Sequence, residues 1–137
     1  MENTEEEITI PISEQEDAYT ALFETRKIAA QIGFDSATEI LIATVVSELS
    51  SNIVRYASSG RIVIRSISDN GKSGLEILAV DKGPGIHDIE LAMTDNFSTT
   101  KNSLGLGLSS LKRIMDEYTI LSLPNQGTQI VARKWRK

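Results

Sequence analysis

Ile8, Ile10 and Ile12 alternate with Thr9 and Pro11. This period-two pattern predicts an edge strand, because Pro has no N–H to give a central ladder. Ser13 with Glu16 fits a capping box, and Ala18, Leu22, Thr25, Ala29 and Ile32 keep a helical stripe that Gly33 closes. Ser36 with Glu39 repeats the box, and Ile40 to Tyr56 is apolar on most faces. A second, largely buried helix is predicted there, ending near Ser58-Ser59-Gly60. Arg61–Ile67 and Leu75–Val80 are rich in Ile, Val and Leu around Asp69-Asn70-Gly71, the pattern of a hairpin.

Asp81-Lys82-Gly83-Pro84-Gly85 reads as a turn at a strand end, and the polar stretch at about 94–104 as a loop. Leu104, Leu108, Leu111, Met115 and Tyr118 space a third helix that starts at Gly105-Leu106-Gly107. Thr119–Leu123 and Thr128–Lys134 are predicted as two closing strands around Pro124-Asn125-Gln126-Gly127. The order β, α, α, β, β, loop, α, β, β is not the alternation of a doubly wound sheet. It fits an α+β two-layer sandwich, with helices on one face of a mixed, mainly antiparallel sheet.

Composition narrows the chemistry. The 137 residues, 40% hydrophobic and 24% charged, suit a single domain over 1–137, with an acidic tail at 1–7. A chain of this size buries on the order of two thirds of its unfolded surface, enough for one core. With no Cys and one His, His87, the sequence argues against thiolate nucleophiles, Cys-based zinc sites and a Ser-His-Asp triad. A net charge of -5 and a pI near 4.9 argue against nucleic acid as partner. Met1–Glu7 carries four Glu and no apolar leader, and no window approaches eighteen apolar residues. No membrane partner is expected, and the expected location is cytoplasmic.

Three constellations could carry chemistry. Thr44, Glu48, Asn52, Arg55 and Ser59 recur along one stripe of the second helix. A carboxylate one turn from an amide suits a general base beside a Mg²⁺ ligand, and Arg55 could face a phosphate; the plainer reading is a solvated stripe. Asp81, at a strand end before Gly83 and Gly85, could read an exocyclic amine while the glycines let backbone approach a planar ring, or the segment could be a turn alone. Gly105-Leu106-Gly107 at a helix start offers N–H groups to phosphates, with Lys101, Ser98, Thr99 and Thr100 in the preceding loop; a tight Gly-permitted helix start is the alternative. Walker and Rossmann glycine patterns are absent. The basic end from Arg133 to Lys137 reads as a solvated strand end.

In order and spacing these motifs resemble the Bergerat ATP-binding fold shared by gyrase, Hsp90, sensor histidine kinases and MutL. Glu48-x-x-x-Asn52 resembles its N box, Asp81 to Gly85 its first glycine box, Leu104 to Leu108 its second, and Gly127-Thr128 the short Gly-Thr near its end. Within that superfamily, Ser47-Glu48-Leu49, Phe97-Ser98-Thr99 and Lys112 to Tyr118 look closest to the stressosome switch-protein serine/threonine kinases. The resemblance implies ATP and Mg²⁺ as ligands, Glu48 as base toward a protein hydroxyl and Asn52 as metal ligand. It implies Asp81 as reader of adenine, with Gly83 and Gly85 against the purine and Thr128 assisting. Gly105, Leu106 and Gly107 would donate to phosphates, and Arg55 and Lys101 would face them. The implied partners are STAS-domain scaffold or antagonist proteins as substrate and a phosphatase activated by binding, and a homodimer is compatible with it. The loop at 94–104 would be the ATP lid. An anti-sigma factor or nucleotide-gated binding module is the competing reading. A histidine kinase is disfavoured because His87 lies just after the first glycine box.

Overall fold

The computed structural model describes residues 6–57, 59–83, 106–123 and 126–137. Five strands form one sheet: β1 (Glu7–Ile12), β2 (Gly60–Asp69), β3 (Lys72–Asp81), β4 (Glu117–Leu123) and β5 (Gly127–Trp135). Their spatial order is β1-β2-β3-β5-β4, and every pairing is antiparallel. Helices α1 (Gln15–Ile32), α2 (Ser36–Asn52) and α3 (Leu106–Ile114) make the second layer. This is the α+β sandwich expected from the order of elements.

Alternation along the strands decides which face carries the helices. Ile10, Ile62, Ala79, Ile130 and Ile120 lie in one cross-strand row, and Ile8, Ile64, Ile77, Ala132 and Tyr118 in the next. Most of these are buried with Ala21, Ile28, Ile42, Val45, Leu49 and Leu111 from the helices. Removing that apolar surface from water is the main stabilising term. α1 and α2 run antiparallel, joined by an Arg26–Glu39 ion pair (2.8 Å) and by Gln15 Nε2 donating to Ser51 Oγ (3.2 Å).

Local signals put most boundaries within a residue or two. Gly33 closes α1 at φ 111, and Asn70-Gly71 form a two-residue turn with φ 51 and 83, so β2 and β3 pair without a break from Gly60 to Asp81. Pro11 sits on edge strand β1. The expected caps differ by one residue. The box on α1 is made by Asp17, whose Oδ2 accepts from the N–H groups of Ser13 and Glu14 (both 2.9 Å), not by Ser13 with Glu16. α2 is capped by Asp35, whose Oδ1 accepts from the Thr38 N–H (2.8 Å), not by Ser36. In both places an ionised carboxylate, a stronger acceptor than a hydroxyl, takes the orphan N–H groups. The third helix is shorter than its apolar spacing predicts: Tyr118 opposes Ala132 in the sheet, so strand pairing overrides helical periodicity after Ile114.

The segment Ser36–Ala57 is long and apolar enough by composition to cross a membrane, contrary to the expectation that no window is. Its apolarity serves the core instead, since Ile42, Val45, Val46, Leu49 and Ile53 are buried. The basic C-terminal end is not merely solvated. Lys134 Nζ donates to the Ile114 carbonyl at the end of α3 (2.8 Å), and Arg136 Nε donates to the Gly33 carbonyl (3.1 Å).

The sheet face opposite the helices carries a charged row across all five strands: Glu7, Arg65, Glu76, Arg133 and Glu117. Glu76, its side chain only 7% exposed, accepts from Arg65 Nε (2.6 Å) and Arg133 Nε (2.8 Å). Burial alone would push the Glu76 carboxyl up, but the two guanidinium groups outweigh it and hold it below its ordinary value of 4.5. The folded state therefore binds this proton less readily than the unfolded chain. Glu76 stabilises fully above the ordinary carboxylate range, and that contribution is lost as pH falls through its depressed value. Glu76→Ala is expected to lower the unfolding free energy by about 2 kcal/mol at pH 7. Urea titrations should show the gap to the parent chain shrinking once the pH drops below about 4.

Candidate functional site

One cross-strand row lies beyond the apolar rows on the helix-facing side: Gly60, Asp81, Thr128 and Ser122. It shares their parity, so it continues the core face at the end of the sheet with polar groups. Asp81 is half-buried and its Oδ1 accepts from the Gly83 N–H (2.8 Å). Burial pushes the Asp81 carboxyl above its ordinary value, only partly offset by hydrogen bonds from the backbone of Gly83 and Thr128. Thr128 Oγ1 lies 3.0 Å from Ser122 Oγ, which also reaches the Gly127 carbonyl (3.3 Å). A cleft of about 570 Å³ opens at this end, lined by Val80, Asp81, Leu121, Ser122 and Thr128 among others. Val80 and Leu121 have the parity opposite to Asp81 and Ser122, so the cleft is open toward the outer face of the sheet.

Close backbone approach shapes this end. A Cβ on Gly83 would stand 2.7 Å from Ala57 Cβ and 2.8 Å from Ala57 Cα, so the turn after β3 lies against the end of the α2 segment. Gly127, at φ +94, has room for no Cβ either, because one would meet the Asp81 carbonyl and lie 2.8 Å from Lys82 Cα. Both the left-handed backbone and the contact with β3 require glycine there. Gly127→Ala is expected to cost about 2 kcal/mol of stability, read as a lower midpoint in thermal unfolding.

The stripe lies on α2 in the helix layer, and the turn after α2 reaches this end where Ala57 stands against Gly83. Glu48 and Asn52 are half-buried, one turn apart, and Asn52 is the last residue of α2. Glu48 Oε1 is fully buried and has no hydrogen-bond partner among the described residues. An unmet buried acceptor costs on the order of 1–3 kcal/mol, a cost that functional sites retain. The amide oxygen of Asn52 is a hard donor of the kind Mg²⁺ accepts while keeping several waters, so it fits that cation and leaves the Glu48 carboxylate one turn away.

Beyond Asn52 the stripe does not continue as expected. Ile53–Ala57 form a π-helical turn, which adds a residue per turn and rotates later positions relative to Glu48 and Asn52. Arg55 on this turn is exposed, its guanidinium 5.7 Å from the Tyr56 ring centroid, and Thr44 Oγ1 donates to the Ile40 carbonyl. α3 starts at Leu106, where the second glycine motif places a helix start, and packs along α2. Gly85, His87, Ser98, Thr99, Thr100, Lys101 and Gly105 lie outside the described residues. Ser122, which no sequence motif marks, shares the row of Asp81 and Thr128.

The described residues thus hold a half-buried carboxylate near a hydroxyl at a strand end, a glycine turn against a helix end, and a glutamate with one buried oxygen that has no partner among them, one turn from an asparagine. A family model described as histidine kinase-, DNA gyrase B-, and HSP90-like ATPase matches residues 37–136, which span all of them. The chain belongs to this ATPase family. Within the family it is RsbT-like: the serine/threonine-protein kinase RsbT of Bacillus subtilis (strain 168) is 46% identical over 110 residues, 80% of this chain and 82% of that protein. The anti-sigma F factor of Geobacillus stearothermophilus is 36% identical over 107 residues, 73% of this chain and 70% of that protein. That of Caldanaerobacter subterraneus subsp. tengcongensis is 33% identical over 99 residues, 69% and 68%. The ATPase family and the RsbT likeness both agree with the resemblance drawn from the motifs.

Proposed function

We propose that this chain is one ATP-binding kinase domain that transfers the γ-phosphoryl group of ATP to a Ser or Thr hydroxyl of a STAS-domain scaffold protein. On release from that scaffold it binds and activates a phosphatase, within a cytoplasmic partner-switching response. The observation that supports the catalytic part is the buried Glu48 Oε1, without a hydrogen-bond partner among the described residues, one turn from Asn52.

Glu48 serves as the general base. It accepts the proton of the incoming hydroxyl as that oxygen bonds to the γ-phosphorus, while the bond from phosphorus to the β,γ-bridging oxygen breaks and ADP leaves. Mg²⁺, held through Asn52, offsets phosphate charge when bound. Asp81 accepts from the adenine amine, Thr128 assists it, and Gly83 keeps backbone close to the purine. The N–H groups at the start of α3, from Gly105 to Gly107, serve the phosphates together with Lys101 and Arg55, with the 94–104 segment as lid. Positioning and fixed charge supply most of the rate, as is general in phosphoryl transfer.

The anti-sigma F relatives favour a second reading, in which nucleotide sets the conformation of a partner-binding module with little turnover. Partner capture separates the two. The kinase reading expects a STAS-domain partner, held on immobilised chain, to leave when Mg-ATP is added and to leave carrying phosphate. Release without phosphorylation, or retention unaffected by nucleotide, supports the binding module.

A further inference from the structure

We propose that Tyr19, Phe23, Ile40 and Leu41 form the docking surface for the protein that carries the acceptor hydroxyl, so that the substrate is selected by an apolar contact outside the nucleotide site. This rests on the reading above, in which Glu48 takes the proton of that hydroxyl.

Among the described residues, the exposed large apolar side chains of the helix layer are these four: Tyr19 is 64% exposed, Phe23 60%, Ile40 50% and Leu41 46%. Single exposed apolar side chains are ordinary, whereas a contiguous group marks an interaction surface. Contiguity follows from the helix pair. Tyr19 and Phe23 stand one turn apart on α1, away from the side that buries Ala21, Thr25 and Ile28. The ties from Gln15 to Ser51 and from Arg26 to Glu39 hold the two helices antiparallel, so the Tyr19–Phe23 turn runs level with the stretch from Ile40 to Ser47.

Charged and polar groups at the margin of this surface are already engaged. Arg26 pairs with Glu39 (2.8 Å), and Lys27 pairs with Glu24 (3.5 Å) while its ammonium lies 5.6 Å from the Phe23 ring centroid. Thr44 Oγ1 donates back to the Ile40 carbonyl (2.9 Å). What the surface offers a partner is therefore apolar area, with Phe23 and Tyr19 as aromatic anchors of the kind that dominate protein interfaces.

Position names the occupant. Leu41 lies two helical turns before Glu48 on α2, about 10 Å along the axis and within about 20° around it. It therefore stands on the stripe of the base. A stable protein contact covers about 800 Å² of each partner, a disc about 16 Å in radius. A folded acceptor that brings a hydroxyl to Glu48 spreads over Leu41 and Ile40. Packed helix axes are about 8–10 Å apart, so Phe23 and Tyr19 fall within the same disc. The nucleotide, held at the sheet end by Asp81, leaves this surface to the protein substrate. The acceptor it fits carries its Ser or Thr hydroxyl beside an apolar patch.

The test measures steady-state transfer from Mg-ATP to a STAS-domain protein for the parent, Phe23→Ala, Phe23→Tyr and Leu41→Ala, with Kd for ATP and the unfolding midpoint measured alongside. Both positions are exposed, so ATP affinity and stability are expected to match the parent's. The KM for the acceptor should rise about tenfold in each alanine variant, the worth of one interface anchor, with kcat unchanged at saturating acceptor. Phe23→Tyr, which keeps the ring, should restore the parent KM. An acceptor KM at the parent's value in both alanine variants, whether kcat holds or falls, overturns the inference and leaves the kinase reading intact. Alanine variants that turn a parent dimer into monomers without moving that KM give the surface to a second copy of the chain, and overturn it as well. A parent chain that transfers no phosphate to a STAS-domain protein overturns the kinase reading itself, and this docking surface with it.

Discussion

Glu48→Gln is expected to slow phosphoryl transfer by about 10²- to 10⁴-fold, the range that general-base catalysis contributes, with ATP affinity within a few-fold of the parent. Gln keeps the shape of the side chain and one acceptor but cannot take a proton. Its Oε1 inherits a position that is buried and has no hydrogen-bond partner among the described residues. Stability should stay close to the parent's, since the substitution keeps the volume of the side chain. Single-turnover transfer at saturating Mg-ATP reads the effect free of binding. A transfer rate equal to the parent's would remove Glu48 from the base role.

Asp81→Asn is expected to weaken ATP binding by about a hundredfold, the loss of a charge-assisted hydrogen bond, and to raise the unfolding midpoint of the nucleotide-free chain. The two effects share one cause. Burial lifts the Asp81 carboxyl above its ordinary value of 3.8, so the folded state holds this proton more tightly than the unfolded chain does. In the nucleotide-free chain stability therefore rises as pH falls through the raised value towards 3.8, the opposite sign to Glu76, and at neutral pH the ionised carboxylate is a net cost. Asn removes that cost and keeps an oxygen for the Gly83 N–H. For ATP the direction reverses: affinity should decline on the acid side, as protonation takes away an acceptor. Differential scanning fluorimetry with and without ATP reads both, and a variant that loses stability while keeping affinity would contradict the assignment.

Much of this was legible locally. Pro11 marked an edge strand, Gly33 a helix end and Asn70-Gly71 a turn, because each residue type answers a backbone demand at its own position. The turn even fixes long-range register: a two-residue connection places Arg65 opposite Glu76, so the one charge in the apolar run of β3 had a readable partner. The Arg133 side of that row was not readable, since β5 reaches β3 across a connection that carries no register signal. The placement of Ser122 across from Thr128 is hidden in the same way, since it exists only through strand pairing. The π-helical turn at Ile53–Ala57 has no periodic signature of its own, which is why the polar stripe was extended past Asn52 on α-helical spacing. Tyr118 fitted that spacing equally well and was taken by the sheet, where its edge pairing with Ala132 decided the matter.

Glu48 and Asn52, Asp81 and Thr128 reach the site by two routes. The first pair is local, one helical turn apart, and the second is joined only by strand pairing. Both pairs fall within residues 37–136, the segment that the family model matches, so motif order pointed to the family better than any motif alone.

The central claim is that this arrangement transfers phosphate from ATP to a protein hydroxyl. Its most direct test is transfer of label from γ-labelled Mg-ATP to a STAS-domain protein, followed by acid treatment and phosphoamino acid analysis, with Glu48→Gln alongside. The account predicts acid-stable label on Ser or Thr that the variant fails to deposit. Acid-labile label, or ATP binding with no label at all, would contradict it.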